Sequence, residues 1–330
     1  MYTKFFDLKE KPFEITPDPR FLFLSDHHKE ALAHLIYAAK EGKGFTMISG
    51  EVGTGKTLMG QTLLHRLDEK TKTISLVNPT LTPLEFLHYI CEALGLKDEQ
   101  RTRGQYIAQI HAHLLEMNAR GEKVILVIDE AQSLSPAILE EIRLLTNLET
   151  DKSKLFLVVL LGQPELNHLL DGHEFRPLKQ RLILRYHILP LNKKEVGKYI
   201  EKRLMVAGTP NPNIFTPKAI KRIYDYSQGI PRLINIVCDN AMLTGFSTDQ
   251  KIIREKIIQE VIRKLDGPKR PKEKKMGLWL LFTAIGSFLL GSLLVSWKFG
   301  LLDQLIEFIE KGFYFLTTKI IHLLSSWGNT

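Results

Sequence analysis

Eight residues near the start of the chain have the types and spacing of a loop that holds phosphate groups. They are Gly50, Glu51, Val52, Gly53, Thr54, Gly55, Lys56 and Thr57, which fit the pattern GxxxxGK[ST]. Glycines let such a loop curl until several backbone N–H groups face phosphate oxygens, and the following helix adds its positive end. We expect Lys56 to reach the β- and γ-phosphates of ATP and the Thr57 hydroxyl to bind Mg²⁺.

Two adjacent carboxylates, Asp129 and Glu130, follow the five apolar residues Val124–Ile128. In an α/β sheet, ligands bind beyond the carboxyl ends of the strands. We expect Asp129 to hold Mg²⁺ and Glu130 to polarise the water that attacks the γ-phosphate. An ordinary acidic turn is the alternative, but the phosphate-binding pattern upstream favours hydrolysis.

The segments around these motifs alternate between short apolar runs and helix-like patterns. Predicted strands cover Phe45–Ser49, Ile74–Val77, Val124–Ile128, Leu155–Leu161 and Ile183–Leu189. This alternation predicts an α/β fold with a parallel sheet between two helical layers. After residue 191 only helices are predicted, over about 192–207, 216–227, 231–245 and 249–265.

Composition shifts divide the chain into five predicted segments. Residues 1–190 form the nucleotide-binding core, 191–265 a helical lid, 266–276 a basic linker, 277–297 a transmembrane helix and 298–330 an amphipathic tail. The N-terminus lacks the apolar stretch of a signal peptide.

Several segments resemble a known ATPase family. The two motifs, followed by a helical module, resemble the AAA+ superfamily. A closer resemblance, to the ExeA/GspA-type ATPases of general secretion pathways and their pilus and exopolysaccharide relatives, is carried by FFDLKEKPFEITPDPRFLFLSDHHKEALAHLIYA, DEAQSLS, LLGQPEL, LKQRL and SQGIPRLIN. The resemblance covers roughly residues 1–265 and implies an AAA+ P-loop fold with a C-terminal lid.

The resemblance also implies roles for three more side chains. Gln163 matches the sensor that orients the γ-phosphate, and Arg232 matches a lid arginine that contacts it. Arg181 matches an arginine finger that reaches the nucleotide of a neighbouring subunit, which implies a homo-oligomer, either a ring or a dimer. From the residues alone, a solvated position at an element boundary is the alternative for each arginine.

The segment Gly277–Trp297 carries no charged side chain. Its 21 residues, at about 1.5 Å each, span about 31 Å, close to the thickness of a bilayer core. Basic residues precede it: Arg263, Lys264, Lys269, Arg270, Lys272, Lys274 and Lys275. Only Lys298 and Lys311 follow nearby, so the positive-inside rule predicts a cytoplasmic ATPase and a periplasmic tail at a bacterial inner membrane.

The net charge of +8 suggests anionic partners, and its concentration in the linker favours anionic lipid. We therefore expect a membrane-anchored ATP hydrolase that energises an envelope machine for secretion, pilus assembly or polysaccharide export. The alternative is a DNA-handling AAA+ ATPase of the transposition or initiation type. The apolar segment after the lid, where a DNA-binding module would be expected, makes a nucleic-acid partner unlikely. The tail is also too short for the cell-wall-binding domain that follows the membrane helix in many ExeA-type proteins.

Overall fold

The computed structural model describes residues 1–42, 44–77, 80–97, 102–150 and 154–267. It also describes residues 286–287, 290–292, 294–295, 298, 304, 306–312 and 314. The chain divides into two compact units, Met1–Asp266 and Gly267–Thr330.

Five parallel strands form one sheet in the first unit. They are β1 (Phe45–Gly50), β2 (Thr71–Leu76), β3 (Lys123–Ile128), β4 (Phe156–Gly162) and β5 (Leu182–Ile188), in the order β2-β3-β4-β1-β5. β1 and β4 are buried along their whole length, as is β3 after its first residue, which explains their unbroken apolar sequences. This order brings the carboxyl ends of β1, β4 and β3 side by side.

Helices cover both faces of the sheet. Those of the core are α2 (Asp26–Lys40), α3 (Lys56–Leu64), α4 (Pro83–Leu94), α5 (Arg103–Ala119), α6 (Pro136–Leu145), α7 (Glu165–Leu170) and α8 (Arg176–Lys179); a short helix α1 (Tyr2–Phe5) precedes them in the chain and packs elsewhere. Side chains of α2 and α3 form one hydrophobic cluster with β1, β3 and β4, and those of α4, α5 and α6 form another with the same strands. The predicted three-layer α/β architecture is therefore confirmed.

Four helices follow the sheet: α9 (Lys193–Val206), α10 (Pro217–Ser227), α11 (Pro231–Ser247) and α12 (Glu255–Leu265). They share a third hydrophobic cluster with Tyr2, Phe6, Leu8, Phe13 and Phe21. The N-terminal segment therefore packs with the lid and not with the sheet.

Two predicted boundaries were wrong. β2 begins at Thr71, before the predicted Ile74, because it pairs with β3 along its whole length despite its polar outer side chains. The fourth lid helix begins at Glu255 instead of residue 249. Asp249 has a left-handed backbone (φ +52°), and Ile253 bridges in parallel to Phe215, so the intervening residues are not helical.

The structure describes only scattered residues of the predicted membrane segment 277–297 and of the tail 298–330. Within the described part of the chain, no helix combines the length and the apolar character needed to cross a bilayer. The anchor and the tail therefore remain predictions.

Candidate functional site

The phosphate-binding loop connects β1 to α3. Its two positive-φ residues are glycines, Gly53 at +82° and Gly55 at +100°, as a tight curl requires. Lys56 is the first residue of α3 and is only 6% exposed. Its Nζ donates to the carbonyl oxygens of Gly50 at 2.8 Å and Glu51 at 3.0 Å. The lysine thus lies within the curve of its own loop.

Lys56 is a desolvated cation. Burial lowers its pKa, and the carboxylates of Glu130, Asp129 and Glu51 oppose this shift. A buried ammonium with few solvent contacts gains strongly from an anion in direct contact. The site is therefore suited to a multiply charged phosphate group.

The hydroxyl of Thr57 donates to Oδ2 of Asp129 at 2.5 Å, which joins α3 to the end of β3. Asp129 is 7% exposed, and its Oδ1 accepts from the backbone N–H of Glu130 at 2.9 Å. Among the described residues there is no cluster of three or more His, Cys, Asp or Glu side chains that could hold a metal. Mg²⁺ is usually held by one or two protein oxygens together with phosphate oxygens, so this pair fits that ion.

Glu130 begins the turn after β3 with a left-handed backbone (φ +50°). Its Oε2 accepts from the side-chain amide of Gln132 at 2.5 Å and from that of Gln163 at 3.1 Å. The bond from Gln132 lowers the pKa of Glu130, burial raises it, and Gln163 and Lys56 add to the lowering. Glu130 is therefore held as a carboxylate, the form that can accept a proton from water.

Gln132 links the two strand ends. Besides binding Glu130, its Oε1 accepts from the backbone N–H of Gln163 at 2.9 Å. The sequence analysis chose Gln163 and missed Gln132, although it lies in the quoted DEAQ segment. Gln132 could have been identified as a candidate site residue, because it lies only two residues after Glu130 and therefore at the same edge of the sheet.

Arg232 lies at the start of α11, and its backbone N–H donates to the carbonyl of Gly53 at 3.3 Å. A Cβ on Gly53 would lie 2.6 Å from Cβ of Arg232, so only glycine permits this approach. The lid therefore contacts the phosphate-binding loop directly.

A cavity of about 470 Å³ lies between the loop, the N-terminal segment and the lid. It is lined by Glu14, Ile15, Thr16, Pro17, Asp18, Val52, Gly53, Gly55, Lys56, Thr57, Leu58, Glu130, Tyr199, Arg203, Pro231, Arg232 and Asn235. Its volume suits a mononucleotide-sized ligand. Arg181 does not line the cavity; it is half-buried between α8 and β5, away from the other predicted site residues.

Three cavity residues that the sequence analysis missed form one polar network. Tyr199 donates to Oδ1 of Asn235 at 2.8 Å, and Arg203 donates to the Tyr199 hydroxyl at 3.1 Å. Arg203 and Asn235 both donate to the carbonyl of Glu14, at 3.2 and 3.3 Å. The network fixes the N-terminal wall of the cavity to the lid. The available sequence signal was the spacing of Arg203, which places it on the same helical face as the apolar residues Val196, Tyr199 and Ile200.

The chain is similar to known proteins. Residues 39–170 match the family described as AAA domain. General secretion pathway protein A of Aeromonas hydrophila is 47% identical over 248 residues, 75% of this chain and 45% of that protein. The chain thus spans less than half the length of this relative.

Two more distant matches are a curated protein and a solved structure, the second of which shares the fold. ATP-dependent target DNA activator B of Escherichia phage Mu is 23% identical over 227 residues, 68% of this chain and 67% of that protein. The solved structure of the ORC2 protein of Aeropyrum pernix aligns with a TM-score of 0.59 at 17% identity, over 77% of this chain and 71% of that one.

Proposed function

Because this chain belongs to the AAA+ ATPases of the general secretion pathway protein A type, we propose that it hydrolyses ATP to energise a machine of the cell envelope. The observation that carries the proposal is the convergence of Lys56, the Thr57–Asp129 pair and Glu130 at one edge of the sheet. A binding-only scaffold would need the first two of these features but not the third.

Each side chain then has a distinct part in the reaction. Lys56 exchanges its bonds to loop carbonyls for oxygens of the β- and γ-phosphates. Thr57 and Asp129 would hold Mg²⁺, which would neutralise charge on those phosphates. Arg232 reaches the γ-phosphate from the start of α11.

Glu130 orients the attacking water and accepts its proton. The oxygen of that water bonds to the γ-phosphorus as the bond to the β–γ bridging oxygen breaks, which leaves ADP and inorganic phosphate. Gln163, which directly follows β4, donates to the same carboxylate oxygen as Gln132, and this bond would place it beside the attacking water.

The work that hydrolysis drives is inferred from kinship and from the sequence beyond the lid. The relative's name associates it with general secretion, and the match covers less than half of that protein. The uncharged segment 277–297, preceded by a basic linker, supports anchoring in a bacterial inner membrane with the ATPase in the cytoplasm. We propose that the linker contacts anionic lipid and that the chain acts on inner-membrane proteins of a secretion, pilus or polysaccharide-export system.

The experiment that tests hydrolysis is the Glu130→Gln variant. We expect ATP affinity to stay within about twofold and turnover to fall at least about a hundredfold, because only the proton acceptor is lost. Phosphate release and nucleotide binding should both be measured on the full-length chain. Wild-type turnover in this variant would show that the catalytic assignment is wrong.

The second candidate is an ATPase that handles DNA. One specific observation favours it: the match to ATP-dependent target DNA activator B, a phage Mu protein, over about two thirds of both chains. DNA binding that weakens steeply as salt rises would support this candidate, since phosphate contacts release counterions. If the chain binds no DNA either with or without ATP, the DNA-handling candidate is excluded and the envelope function is favoured.

A further inference from the structure

His28 is a buried side chain that touches the phosphate-binding loop from outside the cavity. It lies in the first turn of α2 and is 4% exposed. Its Nε2 is 3.0 Å from the carbonyl oxygen of Thr54, and its Nδ1 is 2.5 Å from the hydroxyl oxygen of Ser25. None of the catalytic steps proposed above uses this imidazole.

The partners of the two ring nitrogens fix where the proton lies. A carbonyl oxygen only accepts, so Nε2 carries the hydrogen and donates to Thr54. Burial lowers the pKa of His28, which keeps the ring neutral and leaves Nδ1 as an acceptor for the Ser25 hydroxyl. Ser25 is the N-cap of α2 and also accepts from the backbone N–H of His28 at 3.3 Å. The Ser25–His28 pair therefore presents one N–H donor to the loop.

The Thr54 carbonyl sets the direction of the next peptide N–H. The peptide between Thr54 and Gly55 is trans, so its C=O and N–H point to opposite sides. With the carbonyl directed at His28, the Gly55 N–H points away from α2. Gly55 lines the cavity of about 470 Å³ and stands directly before Lys56. In phosphate-binding loops, the backbone N–H groups that precede the lysine donate hydrogen bonds to phosphate oxygens.

We propose that His28 is a positioning residue for the nucleotide phosphates, because its bond to the Thr54 carbonyl orients the Gly55 N–H toward them. This inference rests on the proposed function, since it assumes that the loop binds a nucleotide. Thr54 has other ties, as its side chain is buried and its hydroxyl donates to the Glu51 carbonyl at 2.8 Å. Those contacts hold the side chain of Thr54 in place, whereas the bond from His28 acts on the carbonyl group of the Thr54–Gly55 peptide itself.

A purely structural role would produce a different pattern of effects. If His28 only anchored α2, any loss of affinity should follow the loss of folding stability and be equal for all ligands of the cavity. A positioning role instead affects ligands that carry phosphates, and a side chain with an N–H at the same reach should replace it. Glutamine has such a donor, and leucine fills similar space without one.

The experiment compares His28→Leu with His28→Gln in the purified full-length chain. His27→Leu is the matched control, because His27 is the exposed neighbour on the same turn. Affinities for ADP and for adenosine are measured by competition with a fluorescent nucleotide, and thermal unfolding is followed in parallel. We expect His28→Leu to weaken ADP binding about tenfold, the worth of a well-placed hydrogen bond, with adenosine binding unchanged. His28→Gln should stay within about threefold of wild type for ADP.

Should His28→Leu fail to fold, Ser25→Ala keeps the test open, because it removes the donor to Nδ1 while retaining the imidazole. We expect this variant to weaken ADP binding several-fold and adenosine binding not at all. Equal ADP affinities for His28→Leu and wild type, or parallel losses for ADP and adenosine, would overturn the inference. A wild-type chain that binds neither ATP nor ADP would overturn the proposed function itself, and the positioning role with it.

Discussion

Lys56 and His28 both lie buried beside the phosphate-binding loop, and burial lowers the pKa of each. The two residues differ in the groups around them that oppose this lowering of the pKa. Four carboxylates oppose the lowering of the Lys56 pKa, whereas at His28 only the Thr54 carbonyl and a single carboxylate, that of Glu195, oppose it. The lysine therefore stays a cation that an anion can reach, while the histidine stays a neutral donor.

The neutral state of His28 makes stability depend on pH in a predictable direction. Its ordinary pKa is 6.5, and in the folded chain burial lowers it, with the Thr54 bond and Glu195 opposing and His27 adding to the lowering. Between the two values the unfolded chain binds more protons, so stability falls as pH drops below about 6.5. We expect His28→Gln to lose less stability than wild type between about pH 7 and pH 5.

Urea unfolding of wild type and His28→Gln across that range measures the effect. Comparing slopes cancels the other titrating groups, which both chains share. Parallel stability curves would show that the imidazole is not held neutral by the fold.

At the scale of elements, the sequence predicted those features that depend on bonds between residues close together in the chain. The capping boxes at Thr82 and Asn192 form as the sequence indicated, because all their bonds lie within four residues of the chain. The contact between Thr57 and Asp129 was also predictable, because Thr57 follows β1, Asp129 follows β3, and the carboxyl ends of parallel strands lie at the same edge of the sheet. The contacts of His28 with Thr54 and of Arg203 with Glu14 could not be predicted in this way, because these partners are distant in sequence and are brought together by packing.

The connection between α10 and α11 determines how the lid approaches the loop. Gly229 has φ +79°, and its carbonyl accepts from the backbone N–H of Leu191 at 3.0 Å. A Cβ on Gly229 would lie 1.9 Å from the Leu191 carbonyl oxygen. The turn that starts α11, and with it Arg232, is thus fixed against the segment that leaves the sheet.

The Gly229→Ala substitution should therefore lower the free energy of unfolding by much more than backbone strain alone would. Gly121 is the matched control, since its φ is +75° and a Cβ there would meet nothing within 4 Å. We expect Gly121→Ala to lose about 1–2 kcal/mol of unfolding free energy and Gly229→Ala at least about 2 kcal/mol more, with weaker ATP binding. Denaturant unfolding and nucleotide titration measure both effects; equal losses in the two variants would contradict the close approach of the two backbones.

At the scale of the whole molecule, the catalytic site and the predicted arginine finger do not meet within one chain. Arg181 lies outside the cavity lining, so the predicted finger role requires a neighbouring subunit. We expect Arg181→Ala to lower turnover at least about tenfold while ATP affinity stays within about twofold. Arg185→Ala is the control, because Arg185 is already bonded to Asn167 and paired with Asp171.

Mixing two variants of impaired turnover tests whether Arg181 acts between subunits. An Arg181→Ala subunit keeps an intact Glu130, and a Glu130→Gln subunit keeps an intact arginine. We expect the mixture to recover part of the activity at concentrations where the chain oligomerises. No recovery, or an Arg181→Ala chain with normal turnover in the oligomer, would contradict a finger supplied by the neighbour.

The charge distribution predicts how the whole chain lies across a membrane. Seven basic residues between Arg263 and Lys275 precede the uncharged segment 277–297, and only two follow it nearby. Moving that cluster across a bilayer is costly, so the ATPase side should stay in the cytoplasm. We expect a reporter fused after Thr330 to be active only in the periplasm, and the same reporter fused after Gly267, in a chain truncated there, to remain cytoplasmic. A cytoplasmic reporter at Thr330 would overturn the topology, and a membrane-bound truncated chain would show that residues 1–267 carry an attachment of their own.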